Sequence, residues 1–292
     1  MRSSHALMRS ALIVATVTLA SQAMELKKDT LAAWTDYVRG ADARMERMGN
    51  GRPFLWVDES AARLARVQRG QVLVEPMVGR GTRDVSNGLI HDWMGAAFIP
   101  NTSAQTLLAV LHDYDRYQDI YKPAVTESKQ LTCGEAEQEF SMKWARHVLF
   151  VTAAIQGRYR AHDVMLDAHH GYQIADSISV REIEGYGQAT ERLLPEDRGQ
   201  GFLWRVHTML RYAERDGGVY VELEAIALTR DIPASLHWLV KPAVNHLSVN
   251  SLTTTLEETR EAVARAPQLS AGIGSCSGKL WDAVALKRGG ME

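Results

Sequence analysis

Two side chains in this sequence combine a capacity for proton transfer with a place among apolar neighbours. Asp176 lies in Tyr172-Gln-Ile-Ala-Asp-Ser-Ile-Ser-Val180, with Tyr172, Ile174, Ile178 and Val180 at alternate positions around it. A carboxylate on an apolar strand face either finds a partner or has its pKa pushed upward. A raised pKa suits a general acid or base, or a group that orients a ligand hydroxyl. Tyr159 and Thr208 are candidate partners, and a bulge that turns Asp176 to solvent is the structural alternative. His147 poses the same choice. A tight connection at Ala145-Arg146 places it on the apolar side beside Trp144, whereas a hairpin end is ordinarily wet.

Other chemistries find less support. His162, His169 and His170 form no helical His-x-x-x-His pair, and the adjacent pair sits in a turn where neighbouring side chains diverge, so no metal site is expected. No Gly-x-Ser-x-Gly elbow, Walker loop or dinucleotide fingerprint occurs, so neither a nucleophile constellation nor a cofactor is expected. The two cysteines, Cys133 and Cys276, can pair in an oxidising compartment, but two cysteines are not a disulfide framework and nothing fixes their separation. A formal net charge of −2 gives no footprint for nucleic acid and no polybasic membrane patch.

The elements that must position these residues begin after residue 23. Residues 1–23 carry two arginines, no acids, and the apolar run 11–20, followed by Ser21 and Ala23 at the positions a signal peptidase reads. The expectation is an exported protein, periplasmic or secreted, with no stable membrane insertion after cleavage. No other apolar stretch reaches spanning length. Residues 24–87 read as an N-terminal helical extension: one helix around Leu31, Trp34, Val38 and Met45, a breaker at 49–53, a second helix around Leu64 and Val67, a short strand at 71–75 and a loop from Pro76 to Gly88. Residues 88–266 hold a strand to Ile99, a helix from Ala104 capped by Thr102 or Ser103, a second short helix to Tyr121, and a strand-rich stretch to Thr229. A helical region from Pro233 follows, split by Pro242. Residues 267–292 read as a flexible Gly/Ser-rich tail.

The hairpin Phe202–Tyr212 and Val219–Thr229 carries the strongest pattern. A two-residue Asp216-Gly217 turn sets Trp204, Val206, Thr208, Leu210 and Tyr212 on the same face as Val219, Val221, Leu223, Ala225 and Ala227. Arg205, His207, Arg211, Glu222 and Glu224 then share the other face, which reads as wet. A one-sided sheet needs a cover, and the stripe Leu236, Val240, Ala243 and Leu247 of the last helix offers one.

The order strand, two short helices, antiparallel meander, C-terminal helix resembles the START-like or helix-grip superfamily (SRPBCC proteins, including polyketide cyclases and lipid-transfer domains). The segment Asp113-Tyr-Asp-Arg-Tyr-Gln-Asp-Ile-Tyr-Lys-Pro-Ala-Val125 and the approach Arg230-Asp-Ile-Pro-Ala-Ser-Leu236 carry the resemblance. It implies an α+β fold with a curved antiparallel sheet wrapped around a long C-terminal helix, and a hydrophobic or amphipathic ligand held between them (a lipid, a quinone or a polyketide-like molecule). The cavity residues expected are Trp144, Tyr159, Tyr172, Asp176, Trp204, Thr208, Tyr212, Val221, Leu223, Leu236 and Val240. Binding without catalysis is the leading expectation. A cyclase/aromatase-type enzyme using Asp176 or His147 is the alternative, as is an interaction module whose N-terminal helices plug the groove.

Overall fold

The computed structural model describes residues 24–46, 53–134, 137–148, 151–231 and 237–266, with side chains left out at 148, 151 and 237–243. The expected signal segment, the 49–52 part of the breaker, Leu236 and the 267–292 tail lie outside the described residues.

In chain order the elements are β1 (Met24–Glu25), α1 (Lys28–Glu46), a 3-10 turn (Trp56–Glu59), α2 (Ala61–Gln68), β2 (Leu73–Pro76), β3 (Thr82–Val85), β4 (Gly88–Pro100), α3 (Ala104–Leu111), a 3-10 turn (Tyr114–Arg116), α4 (Tyr117–Ile120), β5 (Val125–Cys133), β6 (Glu137–Val148), β7 (Val151–Met165), β8 (His170–Glu184), β9 (Arg192–Leu193), β10 (Arg198–Gly199), β11 (Arg205–Arg215), β12 (Gly218–Arg230) and α5 (His237–Arg265). Ser103 caps α3 by accepting from the Thr106 amide, as its side chain suits. Two expectations change. The loop from Pro76 to Gly88 contains β3, and α5 runs as a single helix of 29 residues through Pro242. The proline is the sixth residue of the helix, beyond its first turn, so its missing N–H costs one i→i−4 hydrogen bond.

The main sheet is antiparallel, in the order β2-β4-β12-β11-β8-β7-β6-β5, with β3 on β4 and β9 on β8. The β11–β12 hairpin turns at Asp216 (φ 54°) and Gly217 (φ 77°), the left-handed pair that such a turn requires. Its register pairs Leu210 with Leu223 and Tyr212 with Val221, so the apolar sets do share a face. That face packs on α5 through Leu252, Leu256 and Val263, and on α3 through Leu107, Leu108 and Leu111. At Gly95 an added Cβ would lie 2.7 Å from Leu256 and 2.9 Å from Leu252, so the glycine permits the close approach of α5 to β4.

The opposite face is not wet. Trp34, Ala41 and Met45 of α1 pack on Ile90, Met209, Ile226 and Leu228, while Trp56, Val57 and Val67 pack on Met94, Ala96 and Tyr220. His207, Arg211, Glu222 and Glu224 are buried beneath this layer, and Arg205 is held by Asp197 at 2.7 Å. The alternation was right, but the second cover could not be read from the strands. The N-terminal helices therefore cover the face away from α5 and do not plug the α5 side, while Val72 and Val74 of the same segment pack into the α5-side core. Helix α1, sheet and α5 make three layers of a helix-grip-like α+β fold.

Candidate functional site on the α5 face

Burial alternates along β12 in an unexpected sense. On the α1 face Tyr220, Glu222, Glu224, Ile226 and Leu228 are buried, whereas on the α5 face Leu223, Ala225 and Ala227 are only half-buried. The same half-burial extends to Val206 and Thr208 of β11, Ala175 and Ser177 of β8, and Met142 and Trp144 of β6. These residues share the α5 face through the pairings Thr208 with Ala225, Thr208 with Ala175, Tyr159 with Ser177, and Trp144 with Ile155. They form a continuous apolar floor with the small side chains Ala175, Ala225 and Ala227 at its centre. An antiparallel sheet normally buries its apolar face and leaves its charged face to solvent. Along β12 the charged face is the drier one.

One end of this floor is polar and buried. Asp163 stands in the alternation Tyr159, Ala161, Asp163, Met165, on the α5 face of β7, and pairs in register with Gln173 of β8. Its Oδ1 accepts from Gln173 Nε2 at 3.0 Å and lies 3.2 Å from His112 Nε2. Tyr114 Oη donates to Gln138 Oε1 at 3.2 Å and accepts from Gln173 Nε2 at 3.4 Å. His112 and Tyr114 come from the exit of α3, which folds over the sheet here and excludes water. Burial first, and then the Asp163 charge, pushes the Tyr114 phenol well above its ordinary value, so it stays a neutral donor. Tyr212 is raised in the same order of causes. Three buried atoms of this cluster have no hydrogen-bond partner: Asp163 Oδ2, His112 Nδ1 and Gln138 Nε2. Sequence reading missed the cluster, although a charged residue at an apolar position of β7 was a usable signal.

The expected cavity residues divide. Trp144, Tyr159, Thr208, Tyr212, Val221 and Leu223 lie on the α5 face. Burial raises the Tyr159 phenol to about 12, against the opposing effect of a hydrogen bond with Trp144. Tyr172, Asp176 and Trp204 do not join them. Tyr172 and Asp176 pair with Arg211 and His207 on the α1 face. Ile178 is the extra residue of a bulge opposite Arg158 and Tyr159, and it shifts the alternation so that Val180 faces α5 while Asp176 faces away. Asp176 accepts from His207 Nδ1 at 2.8 Å. Trp204 precedes β11 and packs with Trp34 and Leu228. Leu236 lies outside the described residues, and so does the Val240 side chain.

His147 is exposed and opposite in face to Trp144. The strands run on to Val148 and Val151, so the expected turn at Ala145-Arg146 does not occur. Its Nδ1 lies 2.9 Å from Oγ1 of Thr152, its register partner. Both candidate catalytic groups thus lie off the apolar floor, while the His112–Asp163 pair stands at its buried end. Among the described residues no three His, Cys, Asp or Glu side chains converge on a common point.

No protein-family model and no curated protein matches this sequence. Solved structures do match. A STAR-related lipid transfer protein fragment from Xanthomonas axonopodis is 17% identical, with a TM-score of 0.42 over 63% of this chain and 99% of its own. The Zhui aromatase/cyclase from Streptomyces sp. R1128 is 13% identical, with a TM-score of 0.42 over 63% and 99%. Human STARD10 is 10% identical, with a TM-score of 0.41 over 67% and 78%.

Proposed function

We propose that this protein is an exported carrier that holds an apolar or amphipathic small molecule between its sheet and α5. The observation that carries the reading is the half-burial of Leu223, Ala225 and Ala227 in the middle of the apolar face, alongside fully buried charges on the other face. A ligand that covers about 200 Å² of apolar surface there gains roughly 5 kcal/mol from removal of that surface from water. A small number of polar groups then fixes its orientation, and the cluster around Asp163 supplies them. Export rests on the charge and apolar pattern of residues 1–23. Cys133 is disulfide-bonded, which suits an oxidising compartment.

The test is a titration with Nile red, a neutral apolar fluorophore, followed by its emission and by energy transfer from Trp144. The wild type binds saturably with one site per chain. Ala225→Trp fills the floor and weakens binding by more than about tenfold, with the thermal midpoint kept. Absence of saturable binding, or equal binding by the filled variant, rejects the reading.

One observation favours a second reading, a cyclase-type catalyst. A carboxylate only accepts, so Asp163 takes its hydrogen bond from His112 Nε2, and the buried Nδ1 is left without a partner to contact a substrate. A His112→Gln variant that binds apolar molecules but turns none over, where wild type does, identifies the enzyme.

A further inference from the structure

The hydrogen-bond valences of the buried cluster specify the polar end of the ligand, given the apolar binding proposed above. The chain of contacts Gln138–Tyr114–Gln173–Asp163–His112 is continuous, each link between 3.0 and 3.4 Å. Asp163 and Gln138 are buried side chains, 6% and 0% exposed. Each nonetheless has one polar atom without a partner, the acceptor Asp163 Oδ2 and the donor Gln138 Nε2. Leaving either unmatched costs free energy, and a hydroxyl, which both donates and accepts, has the valences that the two atoms lack. The position is adjacent to the apolar floor. Gln173 stands two residues from Ala175 on the same face of β8, and Asp163 two residues from Ala161 on β7.

We infer that the cluster is a head-group subsite for a neutral hydroxyl, an alcohol or phenol at the end of an apolar body, which donates to Asp163 Oδ2 and accepts from Gln138 Nε2. An ether satisfies the donor only. A carboxylate meets the Asp163 carboxylate in a dry site, where like charges repel strongly. The subsite therefore selects alcohols over both ethers and acids of the same chain length.

Displacement of Nile red from the full chain by dodecan-1-ol, dodecyl methyl ether and dodecanoate tests this. For the wild type the alcohol displaces at about tenfold or more lower concentration than either analogue, the discrimination expected of a site built to receive a hydroxyl. In Asp163→Leu and Gln138→Met the alcohol-to-ether ratio falls towards one while the ether binds as before. Equal displacement by the three compounds in the wild type overturns the inference, as does tighter binding of dodecanoate or a ratio retained in both variants. The wild-type series decides alone if the variants fail to fold. Failure of every compound to displace, the ether included, rejects the apolar binding reading itself, whereas equal displacement rejects only the subsite.

Discussion

Arg44 of α1 reaches Glu224 of β12 at 2.8 Å, 180 residues away in sequence. The contact joins the N-terminal helix to the charged face of the sheet, and others repeat it. Trp56 and Val57 donate their amides to Glu222, Asp42 stands 3.2 Å from His207, and Asp58 pairs with Arg215. The N-terminal layer thus supplies partners to charges that the strands alone present to solvent. It leaves the α5 face as the one with apolar area to spare.

Glu222 is the side chain on which this layer depends most. It lies fully buried, accepts amides at 2.9 and 2.8 Å, and stands 3.3 Å from Arg211. Glu222→Ala removes the acceptor of both amides and takes the carboxylate away from the buried Arg211 guanidinium. The loss expected is about 3–5 kcal/mol in urea denaturation, with part regained by Glu222→Gln, which keeps one acceptor oxygen.

Stability depends on pH through three buried groups whose signs differ. Burial, then the Glu224 charge, raises Asp92 from 3.8 to about 7, with Tyr37, Arg44 and Glu224 around it. A raised carboxyl contributes fully below its unfolded value, and that contribution is lost as pH climbs to about 7. Burial lowers His207, but Asp176 and Asp42 outweigh it and bring the ring from 6.5 to about 9. Its contribution is complete below 6.5 and is lost as pH rises through about 9. His91, which burial lowers from 6.5 to about 4, works the other way and loses its contribution as pH falls through that range. Denaturation midpoints should therefore decline between pH about 7 and 9 in the wild type. The decline disappears in His207→Gln and persists in Asp92→Asn. A rising midpoint over that interval contradicts the assignment.

Trp34 separates a cover from a plug. It packs on the α1 face with Ile90, Trp204 and Leu228, 7% exposed. Trp34→Ala costs about 3–5 kcal/mol of stability. Because α1 is on the far side of the sheet from the floor, the folded variant binds Nile red as the wild type does. Tighter binding in the variant would place the N-terminal segment in the groove.

Gly95 sets the distance between sheet and α5. Gly95→Val drives a side chain into Leu252 and Leu256, which approach the missing Cβ to 2.9 and 2.7 Å. A destabilisation of about 1–3 kcal/mol is expected, read as a lower thermal midpoint.

The sequence made some of this legible and hid the rest for physical reasons. The Asp216-Gly217 turn was readable because its chemistry and the alternation of two long strands agree, so one register satisfies both. Asp176 was misplaced because the bulge at Ile178 leaves no mark in residue type, yet it reverses the facing of every residue before it relative to Val180. His147 failed for a similar reason, since a turn placed a few residues early changes its face. The charges of β11 and β12 read as wet because their partners lie on a distant segment, and local pattern carries no information about distant partners. The His112–Asp163 pair, 51 residues apart, needed the fold before its members could be seen as one group.

On the function proposed above, an apolar molecule sits on the floor of Leu223, Ala225 and Ala227. Native mass spectrometry of the protein, purified from the cells that express it, tests that most directly. The expected result is one apolar small molecule per chain, released by organic solvent and missing from Ala225→Trp. A bare chain mass in the wild type that also takes up no Nile red, or the same adduct in both proteins, would contradict it.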